Sequence, residues 1–427
     1  MLERLKFNND FFVISFVLGL IYIALEWLYV SFVHTQFIYL GFKLDFNIIK
    51  FILAKALFIS TIALSIYVFN KSKFIYSIFV LLILFFLIPN LVLYSFTNSI
   101  AGPVFSICGL LLATATISTR KIKIKSIQSN DSFKYTFLLG IAILFLIPIL
   151  SNSGFSVNLN TLLLKDINIT RETFSQNLIG FAAYAYNWEV KIILPILIVF
   201  FLIHKKYILS IISVIMLLYL YVISGNKIVY MTTIVMIFFY YLSFDYIHKI
   251  RNFVIICFIS LISFYLFDLL LDGYLLRGTF VMRLFFIPAL LNNHYFDFFH
   301  GNPFYFAETH ILNQFFHSPF SDKIGFVISK VYFGVTDMYA SNGIISDGYM
   351  NLGYLGVTLF VAVFSVIFLF FNSFNLDSSY FGIFFVFIFL FLSAPMFTII
   401  ITGGLWFLII CAFFILSRKV HLNSQKL

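Results

Sequence analysis

Charge is the scarcest ingredient of this 427-residue chain: Asp, Glu, Lys and Arg make up 10% of it. A soluble domain carries roughly 25%, so a water-soluble globule is excluded. Cysteine is almost missing. Cys108, Cys257 and Cys411 each lie inside an apolar run, so they read as small buried hydrophobes rather than a disulfide or metal set. There is no phosphate-cradling Gly-rich loop, no nucleophile elbow and no dinucleotide fingerprint, which leaves ATP-driven pumping and soluble-type hydrolase chemistry without support. No internal repeat is found, which counts against carriers built from duplicated halves.

What the chain has in abundance is apolar surface: 62% of its residues are hydrophobic and its mean hydropathy is +1.05. The apolar runs are long and continuous, unlike the short alternating segments of a transmembrane β-barrel. The first, Phe11–Val33, is too long for a signal-peptide core and no small-residue cleavage site follows it, so it is expected to be an uncleaved first span. Further runs lie at about 47–69, 74–94, 100–118, 135–150, 189–203, 207–223, 228–243, 252–268, 353–372, 381–397 and 401–416. In lipid the backbone must satisfy its own hydrogen bonds, so each run is read as a helix. The expectation is an all-α polytopic integral membrane protein with about 12 transmembrane helices, forming a single membrane domain over 1–427.

The net charge of +10 raises the question of nucleic acid. Its distribution answers it. With the N-terminus inside, the inner segments hold sixteen of the 27 basic residues, among them Arg4, Lys71, Arg120, Lys205, Lys249 and Arg418. Every second connection is basic, so both termini are expected in the cytoplasm. The basic excess is topology, and no nucleic-acid partner is expected.

Two outer segments are longer than the rest, 151–188 and 269–352, the second falling between spans 9 and 10. Long connections in compact proteins are usually functional. The larger one holds His294, His300, His310 and His317, half of the eight histidines. It also holds Arg277 and Arg283, just beyond the ninth span. Arginine at a membrane surface suits a lipid-linked phosphate, because its planar fork pairs bidentately with phosphate oxygens. The bland alternative is snorkelling to headgroups. Lys227, in an outer Ser-Gly-Asn-Lys turn, is a candidate for the same anion or simply a turn lysine. The histidine spacings match no helical or finger-type metal pattern, so no metal and no cofactor are expected. A single general base is the more economical reading, with Asp347, His310, Glu308 and His300 as candidates that spacing does not separate. Lys55, about two turns into the second span, must face the bundle interior or a wet cavity. Glu26, Lys50, Glu189, Lys191 and Asp268 are placed at outer span ends.

The order of features in 277–356 then resembles a known group. It runs from Arg277 and Arg283 through Pro288, Tyr295-Phe296-Asp297-Phe298-Phe299 and Asn302-Pro303. It closes on Ser341-Asn342-Gly343-Ile344-Ile345-Ser346-Asp347-Gly348-Tyr349-Met350-Asn351-Leu352-Gly353-Tyr354-Leu355-Gly356. This is similar to the O-antigen, or oligosaccharide repeat-unit, polymerases of bacterial envelopes, and the twelve-span topology with one large late outer loop agrees. The Ser-Gly-Asn-Lys turn resembles a Ser-x-Arg-like segment of that wider group, with Lys227 where an arginine is more usual.

The resemblance implies metal-independent glycosyl transfer on the outer face of the bacterial inner membrane, making O-antigen or capsular polysaccharide. Undecaprenyl-pyrophosphate-linked oligosaccharides would be both donor and acceptor. Membrane lipid, a chain-length regulator and other glycan-assembly proteins are the implied partners. Arg277 and Arg283 would hold the pyrophosphate. Asp347 or His310 would take the acceptor proton, Asn342 and Asn351 would position sugars, and Gly353 and Gly356 would allow close packing. Two other readings share the lipid-linked substrate: an O-antigen ligase, and a flippase. A flippase predicts charge spread over many spans and two-fold internal similarity, whereas here the polar groups gather in one outer loop.

Overall fold

The structure is a computed structural model that describes residues 9–122, 124, 130–154, 159–163, 165, 167–308 and 315–417. Among the described residues there is no strand, only one isolated bridge between Leu376 and Ser417. In chain order the helices are α1 (Asn9–Gln36), α2 (Ile48–Lys71), α3 (Lys73–Phe96), α4 (Gly102–Ser118), α5 (Asp131–Ser153), α6 (Ile167–Asn177), α7 (Phe181–Ile203), α8 (Tyr207–Ser224) and α9 (Ile228–Leu242). They continue with α10 (Tyr246–Leu270), α11 (277–298), α12 (Ile324–Phe333), α13 (Ile344–Ser373), α14 (Ser378–Ser393) and α15 (Met396–Leu416). Among the described residues nine of these are long and apolar enough to cross a membrane: α1, α2, α3, α5, α7, α8, α10, α13 and α15. The chain is an all-α, multi-pass membrane protein. The other three expected runs coincide with the shorter apolar helices α4, α9 and α14.

Local chemistry explains why the helices begin where they do. The side chain of Asn47 accepts from the backbone N–H groups of Ile49 and Lys50 at 3.0 and 3.1 Å, capping α2. Ser72 caps α3 through the N–H of Ile75. Inside the spans, buried polar side chains return their hydrogens to the preceding turn. Asn90 donates to Phe86 O, Ser95 to Leu91 O and Thr114 to Leu110 O. The outward faces carry bare aliphatic residues: Ile49, Ile52 and Ile59 on α2, and Ile208, Ile211 and Ile215 on α8, are all exposed. Such stripes are incompatible with water and fit lipid.

The helices gather into two compact units. The first covers 1–120, 247–369 and 388–396. Its centre is α3, whose apolar window is entirely buried, with Phe85 stacked on Phe285 at 5.5 Å and edge-on to Phe389 at 4.7 Å. The second covers 121–246, 370–387 and 397–427. There α7 is the central helix, and Trp188 meets Trp406 at 5.1 Å and donates its indole N–H to Ile401 O at 2.9 Å.

Three expectations change in detail. The tenth span starts at Ile344 rather than 353, because the segment carrying Asp347 is itself helical up to a break at Leu352 and Gly353. The sixth begins at Phe181 rather than 189, since tertiary packing extends the helix through Asn187, Glu189 and Lys191. Three charged groups placed at span ends are buried instead. Glu26 pairs with Lys55 at 2.5 Å, with the ammonium over the Tyr22 ring. Asp268 caps α11, and Glu189 is fully buried with neither carboxylate oxygen hydrogen-bonded.

Candidate functional site

The described residues of the 269–352 segment centre on the first unit's Ser341–Gly356 stretch. Asp347 is 3% exposed. Its Oδ1 accepts from Asn351 Nδ2 at 3.0 Å and Asn342 Nδ2 at 3.4 Å, and its Oδ2 accepts from the Met396 N–H at 2.8 Å. The carboxylate thereby caps the start of α15 and is enclosed. Asn351 extends the network outward. Its Oδ1 accepts from Phe306 N–H at 2.7 Å, and its carbonyl accepts from Tyr305 N–H at 3.1 Å. The carbonyl of Met350 accepts from Phe304 N–H at 2.8 Å. Asp347, Asn342 and Asn351 are thus brought together, with all three side chains buried.

The turn that aims this segment depends on glycine. Gly353 has φ +61° and ψ −146°, a region only glycine enters without strain. Gly348 and Gly356 touch back to back across the break: a Cβ on Gly356 would stand 2.0 Å from Gly348 O.

The two arginines separate in role. Arg277 is captured: its backbone N–H and Nε donate to Asp268 Oδ2 at 2.8 and 3.2 Å, and its Nη2 donates to Gly273 O at 2.9 Å. Its guanidinium also lies 4.4 Å from the Phe32 ring centroid. It fixes the start of α11. Arg283, two turns on, is exposed and, among the described residues, has no hydrogen-bond or ion-pair partner. α11 opens with a run of i→i+5 turns over Arg277–Phe286, a rare backbone form that widens the helix and is frequent at functional sites.

Glu308 is exposed; its Oε1 caps α12 by accepting from Ile324 N–H. Partial burial pushes its carboxyl above the ordinary range, against the opposing pull of that hydrogen bond and of Lys323. Burial raises the Tyr339 phenol, and the negative charges of Glu308 and Asp347 act in the same direction. His300 is exposed at the end of α11. His310 lies outside the described residues. His317, exposed, lines a cavity of about 600 Å³ formed by 298–305 and 315–320. His294 is stacked face to face on Tyr332 at 4.1 Å, and the Tyr332 hydroxyl donates to Asp297 Oδ2 at 2.6 Å. Burial pulls the His294 imidazole down to about 4, with Asp297 opposing. Among the described residues no three His, Cys, Asp or Glu side chains gather as metal ligands.

Lys227 belongs to the second unit, where it is exposed at the start of α9. Its turn is held from beneath: Gly225 (φ +59°) lies against the backbone of α6, and Arg171 Nη2 donates to Gly225 O at 3.3 Å. Arg171 is thus a guanidinium beside the Ser-Gly-Asn-Lys turn, 54 residues away in sequence. Nothing in local spacing points to it; the only available signal is that it is a basic residue in an outer segment expected to be poor in them. Asp268 was read as a charge at a span end, and its role as the cap of α11 was equally hidden. Comparison of the chain with protein-family models, with curated proteins and with solved structures finds no match.

Proposed function

We propose that the protein is a glycosyltransferase that polymerises lipid-linked oligosaccharide repeat units, with its chemistry in the outer segment 269–352. The observation that carries this reading is the exposed, unpaired Arg283 on α11, in the same unit as a braced polar network and a cavity. An unpaired guanidinium outside the spans suits the pyrophosphate of a polyprenyl-linked glycan, whose leaving charge it would stabilise. Twelve spans, cytoplasmic termini and a bacterial inner membrane complete the proposal; the positive-inside pattern supports the first two.

The roles divide as the geometry suggests. Arg283 contacts the anion, and Arg277 holds the helix that presents it. Lys227 and Arg171 give the second unit an exposed cationic turn suited to an anionic headgroup. Glu308 is the better general base of the described candidates, because the residue is exposed, whereas Asp347 is buried with both carboxylate oxygens engaged. Asp347, Asn342 and Asn351 brace the loop. Concentration of polar groups in one outer segment favours this reading over a flippase.

Deleting the gene and resolving surface glycan by gel tests it. The expected outcome is carriers capped with a single repeat unit and no ladder, restored by the wild-type chain but not by Arg283→Ala at equal expression. A ladder of normal length in the deletion strain refutes the proposal. Total loss of anchored glycan would point to ligase or flippase instead.

A further inference from the structure

The cavity in the outer segment has a composition of its own. Its walls are aromatic, with Phe299, Phe304, Tyr305, Phe316 and Phe320 among them, and its polar side chains are Asn302, His317 and the Tyr305 phenol. Among the described residues no Lys, Arg, Asp or Glu lines it. A charged ligand would be left unpaired there, at high cost. A volume of about 600 Å³ is within the usual range for small-molecule sites, which combine apolar walls with a few placed polar groups. All lining residues lie outside the candidate spans.

The backbone beside it is held against its preference. Tyr305 and Phe306, neither of them glycine, have φ of +49° and +59°. Left-handed residues of this kind are strained and persist only where surroundings impose them. Here three hydrogen bonds impose them, from the N–H groups of Phe304, Tyr305 and Phe306 to Met350 O, Asn351 O and Asn351 Oδ1. Asn351 is itself oriented by Asp347. The result sets the Tyr305 ring 5.4 Å from Phe316 at an interplanar angle of 24°, both exposed at the cavity.

We infer that this cavity is a binding site for an uncharged sugar ring, stacked through its C–H face on the Tyr305 and Phe316 walls with hydroxyls reaching Asn302 and His317. Asp347 and Asn351 are positioning residues for it: they hold the strained turn and touch no ligand. The inference rests on the polymerase reading for the source of the sugar, but neither its geometry nor its test requires polymerisation.

Saturation-transfer NMR on the full chain in lipid nanodiscs decides the matter. The probes are the methyl glycosides of glucose, galactose, mannose, N-acetylglucosamine, rhamnose and fucose, with geraniol as an apolar control. At least one sugar is expected to receive saturation on its ring protons. Tyr305→Ala/Phe316→Ala should abolish the transfer, while Phe316→Trp and Arg283→Ala keep it. Both truncated side chains are partly exposed, and thermal unfolding verifies that the double variant folds. Asn351→Ala should weaken transfer without removing any wall residue. Absence of transfer from every sugar, its survival in the double variant, or transfer to geraniol alone overturns the assignment. Sugar binding in a protein whose deletion leaves a normal ladder would refute the polymerase reading and leave this site standing.

Discussion

Glu308 and His294 show how burial, as the dominant influence, shifts a carboxyl and an imidazole of one segment in opposite directions. The Glu308 carboxyl is raised above its ordinary range by partial burial. If it accepts the acceptor proton, polymerisation in membranes should rise with pH through a midpoint above that of a free carboxylate, and Glu308→Gln should remove both rate and midpoint. A flat pH profile in the wild type, or full activity in the variant, rejects Glu308 as base. For His294 the folded state favours the neutral ring, from 6.5 down to about 4. Its contribution to stability is therefore complete above the unfolded value and is lost as pH falls from 6.5 toward 4. The loss amounts to roughly 3 kcal/mol. His294→Phe keeps a ring against Tyr332 and should flatten this decline in a detergent thermal-unfolding series; parallel curves for the two proteins would contradict it. The place of Arg283 beyond a span was legible, and the structure leaves it exposed there. The capture of Arg277 was not, because no spacing rule links it to Asp268, nine residues earlier at a span end.

Among the elements, the break at the start of α13 carries the most consequence. It depends on backbone contact between Gly348 and Gly356 and on the positive φ of Gly353. A methyl group at 356 would lie 2.0 Å from a carbonyl oxygen that cannot rotate away. Gly356→Ala should therefore cost about 3 kcal/mol or more in thermal stability. Gly109→Ala on α4, where nothing lies within 4 Å of an added Cβ, should instead gain about 0.5–1 kcal/mol. Equal behaviour of the two variants would show that the contact does not bear on folding. The sequence pattern Ser-Asp-Gly-Tyr-Met-Asn-Leu-Gly marks this stretch as unusual, and glycine spacing suggests close packing. It does not say that the preceding residues are helical. Hydropathy reads them as polar loop, whereas Asp347 and Asn351, besides bonding to each other, are completed by Met396 and Phe306 from elsewhere in the fold.

For the whole molecule, the alternation of basic and non-basic connections predicts sidedness that can be read chemically. In intact spheroplasts, Arg283→Cys and Lys227→Cys should react with a membrane-impermeant maleimide, and Lys205→Cys only after permeabilisation. The native Cys108, Cys257 and Cys411, buried or half-buried within helices, should remain largely unlabelled. Labelling of Lys205→Cys from outside would invert the topology and move the proposed site to the cytoplasmic face. The sequence by itself determined the membrane class and the position of most spans, because lipid forces each long apolar run to satisfy its backbone locally as a helix. It also directed attention to 269–352, since scarce charge must gather where water is. Only the tertiary structure decided which polar groups are free and which are internal. Phe306 meets Asn351 across 45 residues, and Asp347 meets Met396 across 49. Those bonds fix the turn beside the cavity and the start of α15, and no local spacing encodes them.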